Sequence, residues 1–441
     1  VNDRRGQGRE YQFRLDAPIV VDITAVSGQS FYTGVQRVVR EFVAANMDDL
    51  LLVRYDPKSD VFRAANRITA LKYRPTKGFV GRLRVRLKNW YWSLSRGYRE
   101  QGTRRSWIPT PVRSAARWFY DTFLADAYLE RELRRTQRPV WQPLDHQRFV
   151  LLDIPVGPRH VEALDRLLTS ADIASTVYLH DLFPLSHKHL FDKRYHPGVR
   201  ARHLRYLDVV GAATHLVTNS RFTRSQYERF VDVLEESPDQ RIETLYLPWP
   251  RFDDPTDDDR AAVLPHVGEA SVRVLAVGAL DARKNLLVVV RAVRRLLADG
   301  VPVSLVIVSS STDRNDPLLA AELLDLSASE RESIRIVTAL PNAQLVALYD
   351  LATVVAVPSV AEGFGLPVVE ALSRGTRVVA ARATALVELA ESLPVTLADP
   401  ADAAEWAAAL LAAHEAGRVP EVVVPDAFPA DWVEFRRRLL S

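Results

Sequence analysis

The segment VVAVPSVAEGFGLPVVEALSRG, Val354 to Gly375, decides the fold of this chain. Its first four residues are a short unbroken apolar run, the pattern of a strand buried on both faces of a parallel sheet. A loop containing Gly363 and Gly365 follows, then a helical pattern over Pro367 to Arg374. Pro367 suits the first helical position and Gly375 the position just past the end, because proline is preset for helix entry and glycine leaves a helix without a β-carbon penalty. Strand, glycine loop and helix start in that order present free backbone N–H groups at a positive helix end, which favours an anionic or hydroxyl-rich ligand. Glu362 lies in the loop and Glu370 early in the helix. Two carboxylates flanking such a loop can accept hydrogen bonds from vicinal hydroxyls, one pair on a ribose and one on a sugar. The plainer reading has Glu362 capping the loop and Glu370 facing solvent; the glycines and the proline around them favour the first.

Upstream, the same alternation continues, with strands over Val272–Val277, Val303–Val308 and Ile334–Val337 and helices over Leu286–Leu297, Leu318–Leu326 and Ala343–Leu351. This is the spacing of a doubly wound sheet, whose ligands sit outside the carboxyl ends of the strands. In VGALDARKN, Gly278 closes a strand and Arg283 and Lys284 precede a long amphipathic helix. A lysine there can neutralise charge building up on a diphosphate leaving group, although an Arg-Lys pair before a helix is more often a solvated surface.

The N-terminal half opens with a strand-like run at Pro18 to Ile23, a loop with Gly28 and Gly34, and a helix from Val35, and further apolar runs at Arg148–Ile154, Ser175–Leu179 and His215–Thr218 alternate with helical stretches. The polar, proline-spaced stretch between Pro248 and Ala270 shows no period long enough for an element and reads as a linker. The expected organisation is therefore an N-terminal Rossmann-like α/β domain over 1–250, a linker over 251–270, a second such domain over 271–425, and a last helix over 426–441 returning to the first domain.

A chain of 441 residues with 47% hydrophobic and 26% charged residues is an ordered globular protein of about this domain count. It has no cysteine, which excludes disulfides, thiolate nucleophiles and cysteine-ligated zinc and suits a reducing cytosol. No apolar run reaches the ~18 residues of a membrane span, and the first twenty residues lack the apolar core of a signal peptide.

The motif around Glu362 and Glu370 resembles the Glu-x7-Glu signature of the glycosyltransferase 4 family. The likeness runs across 272–400, through VGALDARKN, LYDLA and the Val-Glu-Leu at Val387, and more thinly through YTGVQRVVRE, YLHDLFP and TNSRFTRSQ. It implies a GT-B fold, two Rossmann-like domains facing across a cleft, with a nucleotide-sugar donor held by the C-terminal domain and a glycan or lipid-linked acceptor by the N-terminal one. It implies Glu370 on the ribose, Glu362 with the Gly363, Phe364, Gly365 and Leu366 backbone on the donor sugar, and Lys284 with Arg283 on the diphosphate. Gly34 falls near the phosphates and His180 near the transferred sugar, though a lone histidine after a strand is more often a core residue. The family retains anomeric configuration and needs no metal, so neither metal nor cofactor is expected and the acidic run Asp257–Asp259 reads as linker. Ala279, where many members carry arginine, and Ser309–Ser311, where a glycine is common, depart from the pattern.

The activity this implies is transfer of one sugar, mannose or rhamnose by likeness, in bacterial surface polysaccharide synthesis. Another GT-B enzyme, such as a phosphorylase or epimerase, and a non-catalytic nucleotide-sugar scaffold are the alternatives. From Lys77 to Arg117 eleven Lys or Arg face the single acid Glu100, interleaved with Trp90, Tyr91, Trp92, Tyr98 and Trp107. That composition, in an insertion over about 77–120, suits an anionic membrane surface, which leads one to expect a cytoplasmic enzyme attached peripherally to the inner face of the cell membrane; a merely solvated helical hairpin is the plainer reading. A nucleic-acid patch has the same composition, but the net charge of +3 gives no reason to expect that partner.

Overall fold

The computed structural model describes residues 15–26, 34–65, 138–170, 173–190, 198–234, 240–309, 316–338 and 340–441. The basic aromatic stretch at 77–120 and Gly28 lie outside the described residues.

The first sheet is built from β1 (Ile19–Asp22), β2 (Leu50–Asp56), β3 (Val61–Ala64), β4 (Arg148–Leu151), β5 (Ala174–Leu179), β6 (His215–Thr218) and β7 (Arg241–Thr244), in the order β3-β2-β1-β4-β5-β6-β7. All neighbours are parallel except the edge strand β3. Helices α1 (Gly34–Asn46), α2 (Pro158–Ser170), α3 (Phe183–Ser186), α4 (Gly198–Ala212) and α5 (Arg221–Leu234) connect and cover it. Strand β1 shows why the run is apolar throughout: Ile19 and Val21 enter one core, Val20 the core on the opposite face.

The second sheet is wholly parallel, in the order β10-β9-β8-β11-β12-β13. Its strands are β8 (Val272–Val277), β9 (Val303–Ser309), β10 (Ile334–Thr338), β11 (Val354–Val357), β12 (Arg377–Ala381) and β13 (Val395–Ala398). Counted along the chain this is the doubly wound 3-2-1-4-5-6 order, so β8 and β11 flank the switch point where ligands bind. Eight helices accompany it among the described residues: α6 (Asp257–Val267), α7 (Leu286–Ala298), α8 (Pro317–Asp325), α9 (Ala328–Ser333), α10 (Asn342–Leu351), α11 (Leu366–Ser373), α12 (Thr384–Ala390) and α13 (Ala403–Glu415).

Helix α6 corrects the reading of 251–270 as a stretch without an element. Thr256 accepts the Asp259 N–H while the Asp259 carboxylate accepts that of Thr256, a capping box, and the three aspartates fill the first turn at the positive helix end. Only Val263 and Val267 are buried, a stripe too thin to register as a period.

The final helix, α14 (Trp432–Leu440), lies against α1 in the first domain. Phe435 meets Phe42 edge-on at 6.1 Å, and Trp432 Nε1 donates to Glu41 at 3.0 Å. One continuous hydrophobic cluster includes these residues and both faces of the second sheet, so the two domains share buried apolar surface beside the cleft.

Candidate active site

The site forms where the carboxyl ends of the two sheets face each other. On the C-terminal side, Asp281 caps a 3-10 turn by accepting the Lys284 N–H at 3.0 Å, and Asn285 in the left-handed region (φ 48°) joins that turn to α7. The Lys284 stem lies over Gly278, where a β-carbon would come within 3.0 to 3.2 Å of its methylenes. The ammonium therefore reaches Glu362, with Nζ 2.8 and 3.1 Å from the two carboxylate oxygens. Arg283 donates to the Ala361 carbonyl at 3.1 Å and lies 3.4 Å from Glu362. Burial pushes the Glu362 carboxyl up, but the charges of Lys284 and Arg283 and hydrogen bonds from Lys284 and Ser359 hold it below the ordinary carboxylate range. Burial likewise depresses Lys284, and Glu362 only partly offsets the loss of hydration.

The Glu362 backbone is fixed by the next motif. Its N–H donates to Thr384 Oγ1 at 3.0 Å and its carbonyl accepts the Ala385 N–H at 3.3 Å. Thr384 holds φ at 47°, a region that β-branched residues seldom enter. Phe364 points away from the cleft and packs its ring against Tyr246 and Phe428, leaving only its main chain to a ligand. Gly365 (φ 104°) precedes α11, and a β-carbon there would come 2.9 Å from Leu386. Leu366 touches Gly34, the first residue of α1, where a β-carbon would lie 3.1 Å from Leu366 Cδ1. Two helix N-termini thus converge, and neither has an acid in its first turn.

Glu370 is buried, 3% exposed, one turn into α11. Tyr349 donates to Oε2 at 2.7 Å, and Arg37 of α1 crosses from the other domain to pair with Oε1 while also holding Glu41 at 3.2 Å. Arg37 titrates above its ordinary range: burial opposes this, but the two glutamates outweigh it. Arg37 and Tyr349 fell inside motifs that the sequence displays, yet nothing local marks them as partners of Glu370.

His180 follows β5 with its ring buried against Tyr178, and Nε2 lies 2.8 Å from the Leu152 carbonyl. A carbonyl can only accept, so Nε2 carries the proton; burial depresses the ring's basicity. The His180 main-chain carbonyl faces the Gly363 loop, and the Gly363 carbonyl accepts from Ser220 Oγ at 2.6 Å. Glu388 of α12 accepts the Arg221 and Phe222 N–H groups at 2.8 and 3.0 Å, capping α5 across the domain boundary.

A further carboxylate, Asp153, follows β4 directly after Leu152. Its Oδ1 accepts the Ile154 N–H at 2.7 Å, while Oδ2 is enclosed without a hydrogen-bond partner among the described residues. Burial, aided by the charge of nearby Asp22, pushes this carboxyl up to about 7 against the pull of Ile154 and His160. Asp22 itself receives His160 Nε2 at 2.7 Å, and His160 Nδ1 accepts the Val156 N–H. Sequence reading missed Asp153 because LLDIP looks like a plain strand end.

Residues 271–415 match the family model described as "Glycosyl transferases group 1". Among curated proteins, the chain is 34% identical over 182 residues to a D-inositol 3-phosphate glycosyltransferase of Thermobifida fusca, covering 40% of this chain and 41% of that one. It is 32% identical over 160 residues to an MMP alpha-(1->4)-mannosyltransferase of Mycolicibacterium hassiacum, covering 35% and 38% respectively. The matched part thus spans about two-fifths of these relatives' length. Among solved structures, it superposes on sucrose-phosphate synthase from Thermosynechococcus elongatus with a TM-score of 0.56 at 17% identity, covering 96% of this chain and 94% of that one. The Anabaena protein HepE in complex with UDP and glucose gives 0.53 at 14% identity, covering 89% and 88%. With the two sheets, these likenesses establish the GT-B fold.

Proposed function

We propose that the chain is a retaining, metal-independent glycosyltransferase that takes a sugar from a nucleoside-diphosphate donor. One observation carries the reading. Lys284, from the 3-10 turn after β8, meets Glu362 of the loop-and-helix unit that also carries Glu370, beside two converging helix N-termini in the crevice between the domains. In this reading Glu370 takes the ribose hydroxyls, and the main-chain N–H groups at Gly365 and Leu366 with Lys284 hold the diphosphate. Glu362 receives hydroxyls of the transferred sugar. Charge accumulates on the departing diphosphate in the transition state, so a pre-placed ammonium and amides stabilise that state more than the ground state. The acceptor hydroxyl enters on the face the diphosphate leaves, with its proton passing to a phosphate oxygen, and configuration is kept. His180, whose main-chain carbonyl lies against the Gly363 loop and whose ring is tied to the Leu152 carbonyl, positions the sugar rather than acting as a base.

The acceptor is a glycan or a lipid-linked sugar held by the N-terminal domain, and mannose or rhamnose is the donor sugar we favour. The composition of 77–120 supports attachment to an anionic membrane. No helix among the described residues is long and apolar enough to cross one.

A thermal-shift screen against UDP-, GDP- and dTDP-sugars, followed by anomeric analysis of the product, tests the reading. Stabilisation by one class of donor and a product of unchanged configuration are expected. No stabilisation by any nucleotide sugar removes the donor site; inversion removes the mechanism; binding without turnover on any acceptor leaves a sensor or scaffold.

A further inference from the structure

The groups proposed to hold the donor are paired with one another in the structure. Lys284 occupies both oxygens of Glu362, and Arg37 with Tyr349 occupies both oxygens of Glu370. Glu370 is only 3% exposed and each of its oxygens is already engaged, so a ribose diol that takes this carboxylate competes with the Arg37 guanidinium for it.

Where the displaced cation goes follows from the helices. Gly34 touches Leu366, and one turn along each helix Arg37 touches Glu370, so α1 and α11 run side by side from their N-termini. Helical side chains lean toward the N-terminus of their helix. Arg37 therefore leans toward the locus where two helix N-termini, both without first-turn acids, favour negative charge. A guanidinium that lost Glu370 would keep only Glu41 in a largely buried setting, and an arriving diphosphate supplies the missing partner. The position also bears on Ala279, where the resemblance leads one to expect an arginine: a cation contributed by the opposite domain takes up the same task.

We infer that Arg37 is an exchange residue for the donor: it neutralises Glu370 when no ribose engages that carboxylate and passes to the diphosphate when the ribose claims it. This rests on the donor site proposed above. It adds a second-domain contact made only when the cleft is closed around donor, and it makes nucleoside and phosphate recognition energetically opposite at one side chain.

The opposition gives the test. Full-length wild type, Arg37→Met and Arg37→Lys are titrated calorimetrically with UDP and GDP and with uridine and guanosine, the base being whichever wild type binds. Arg37→Met frees Glu370, so the nucleoside should bind several-fold tighter. It removes the phosphate contact, so the diphosphate should bind about tenfold weaker, the scale of one lost charge-assisted hydrogen bond. Arg37→Lys keeps the charge and should restore most of the diphosphate affinity. If Met tightens both ligands, Arg37 is only a plug; if it weakens both equally, or changes neither, there is no exchange. Each of these overturns the inference and leaves the donor site standing. Failure of wild type to bind any nucleoside diphosphate overturns the donor site itself.

Discussion

The carbonyl oxygen of His180 lies 2.2 Å from where a β-carbon on Gly363 would stand. No side chain fits there while the domains are closed, because the obstacle is main chain and cannot rotate aside. Gly363→Ala should therefore fold with near wild-type stability but hold the cleft ajar. Small-angle scattering should show a larger radius of gyration, and turnover should fall by about 10²-fold, as expected when reacting groups are held an ångström out of place. A compact, active variant would contradict the close approach.

Removing one partner of the Lys284–Glu362 pair should cost more than removing both. Lys284→Met leaves the buried carboxylate with only the longer Arg283 contact and Ser359 in place of its main partner and should destabilise the chain by up to roughly 3–5 kcal/mol, whereas Lys284→Met with Glu362→Leu should recover most of that in denaturant titrations. Donor turnover should remain absent in both. A double variant that regains activity would show that the pair serves only the fold.

Asp153 gives a pH signature whose sign is fixed. Its folded-state value of about 7 lies above the ordinary 3.8, so the folded chain holds its proton more tightly than the unfolded one. The resulting stability is fully present below about pH 4 and is lost as the pH rises through about 7, by on the order of 4 kcal/mol. Asp153→Asn cannot titrate, so the difference between wild type and variant, followed by urea unfolding from pH 4 to 8, should change by that order. A difference independent of pH would show that the carboxyl is not held protonated.

Glu388→Ala should uncap α5 and release Tyr246, whose hydroxyl donates to Glu388 at 2.6 Å. A loss of about 1–2 kcal/mol is expected from the cap, together with faster hydrogen exchange at Arg221 and Phe222. Unchanged exchange at those two amides would rule out the cap.

The local pattern was legible wherever a residue's role depends on its neighbours in sequence. The apolar run Val354–Val357 is the strand β11, and Gly375 (φ 70°) does stand just past the helix, which ends at Ser373 with Arg374 as its C-cap. The helix starts one residue earlier than its proline suggests, because Gly365 supplies the left-handed turn and Leu366 follows it directly. Helix α6 escaped notice since its acidic first turn looked like solvated linker. Arg37 and Asp153 escaped for another reason: one meets its partner 333 residues away, and the other is set apart by an enclosed oxygen, which no periodicity records.

Helix α12 is gripped at both ends of a single turn. Thr384, in its unfavourable backbone state, anchors the main chain of Glu362, while Glu388, four residues on, is tied to the opposite domain. The turn between them works as a crank. A displacement of the opposite domain that pulled on Glu388 would thus be carried through this short piece to the peptide of Glu362.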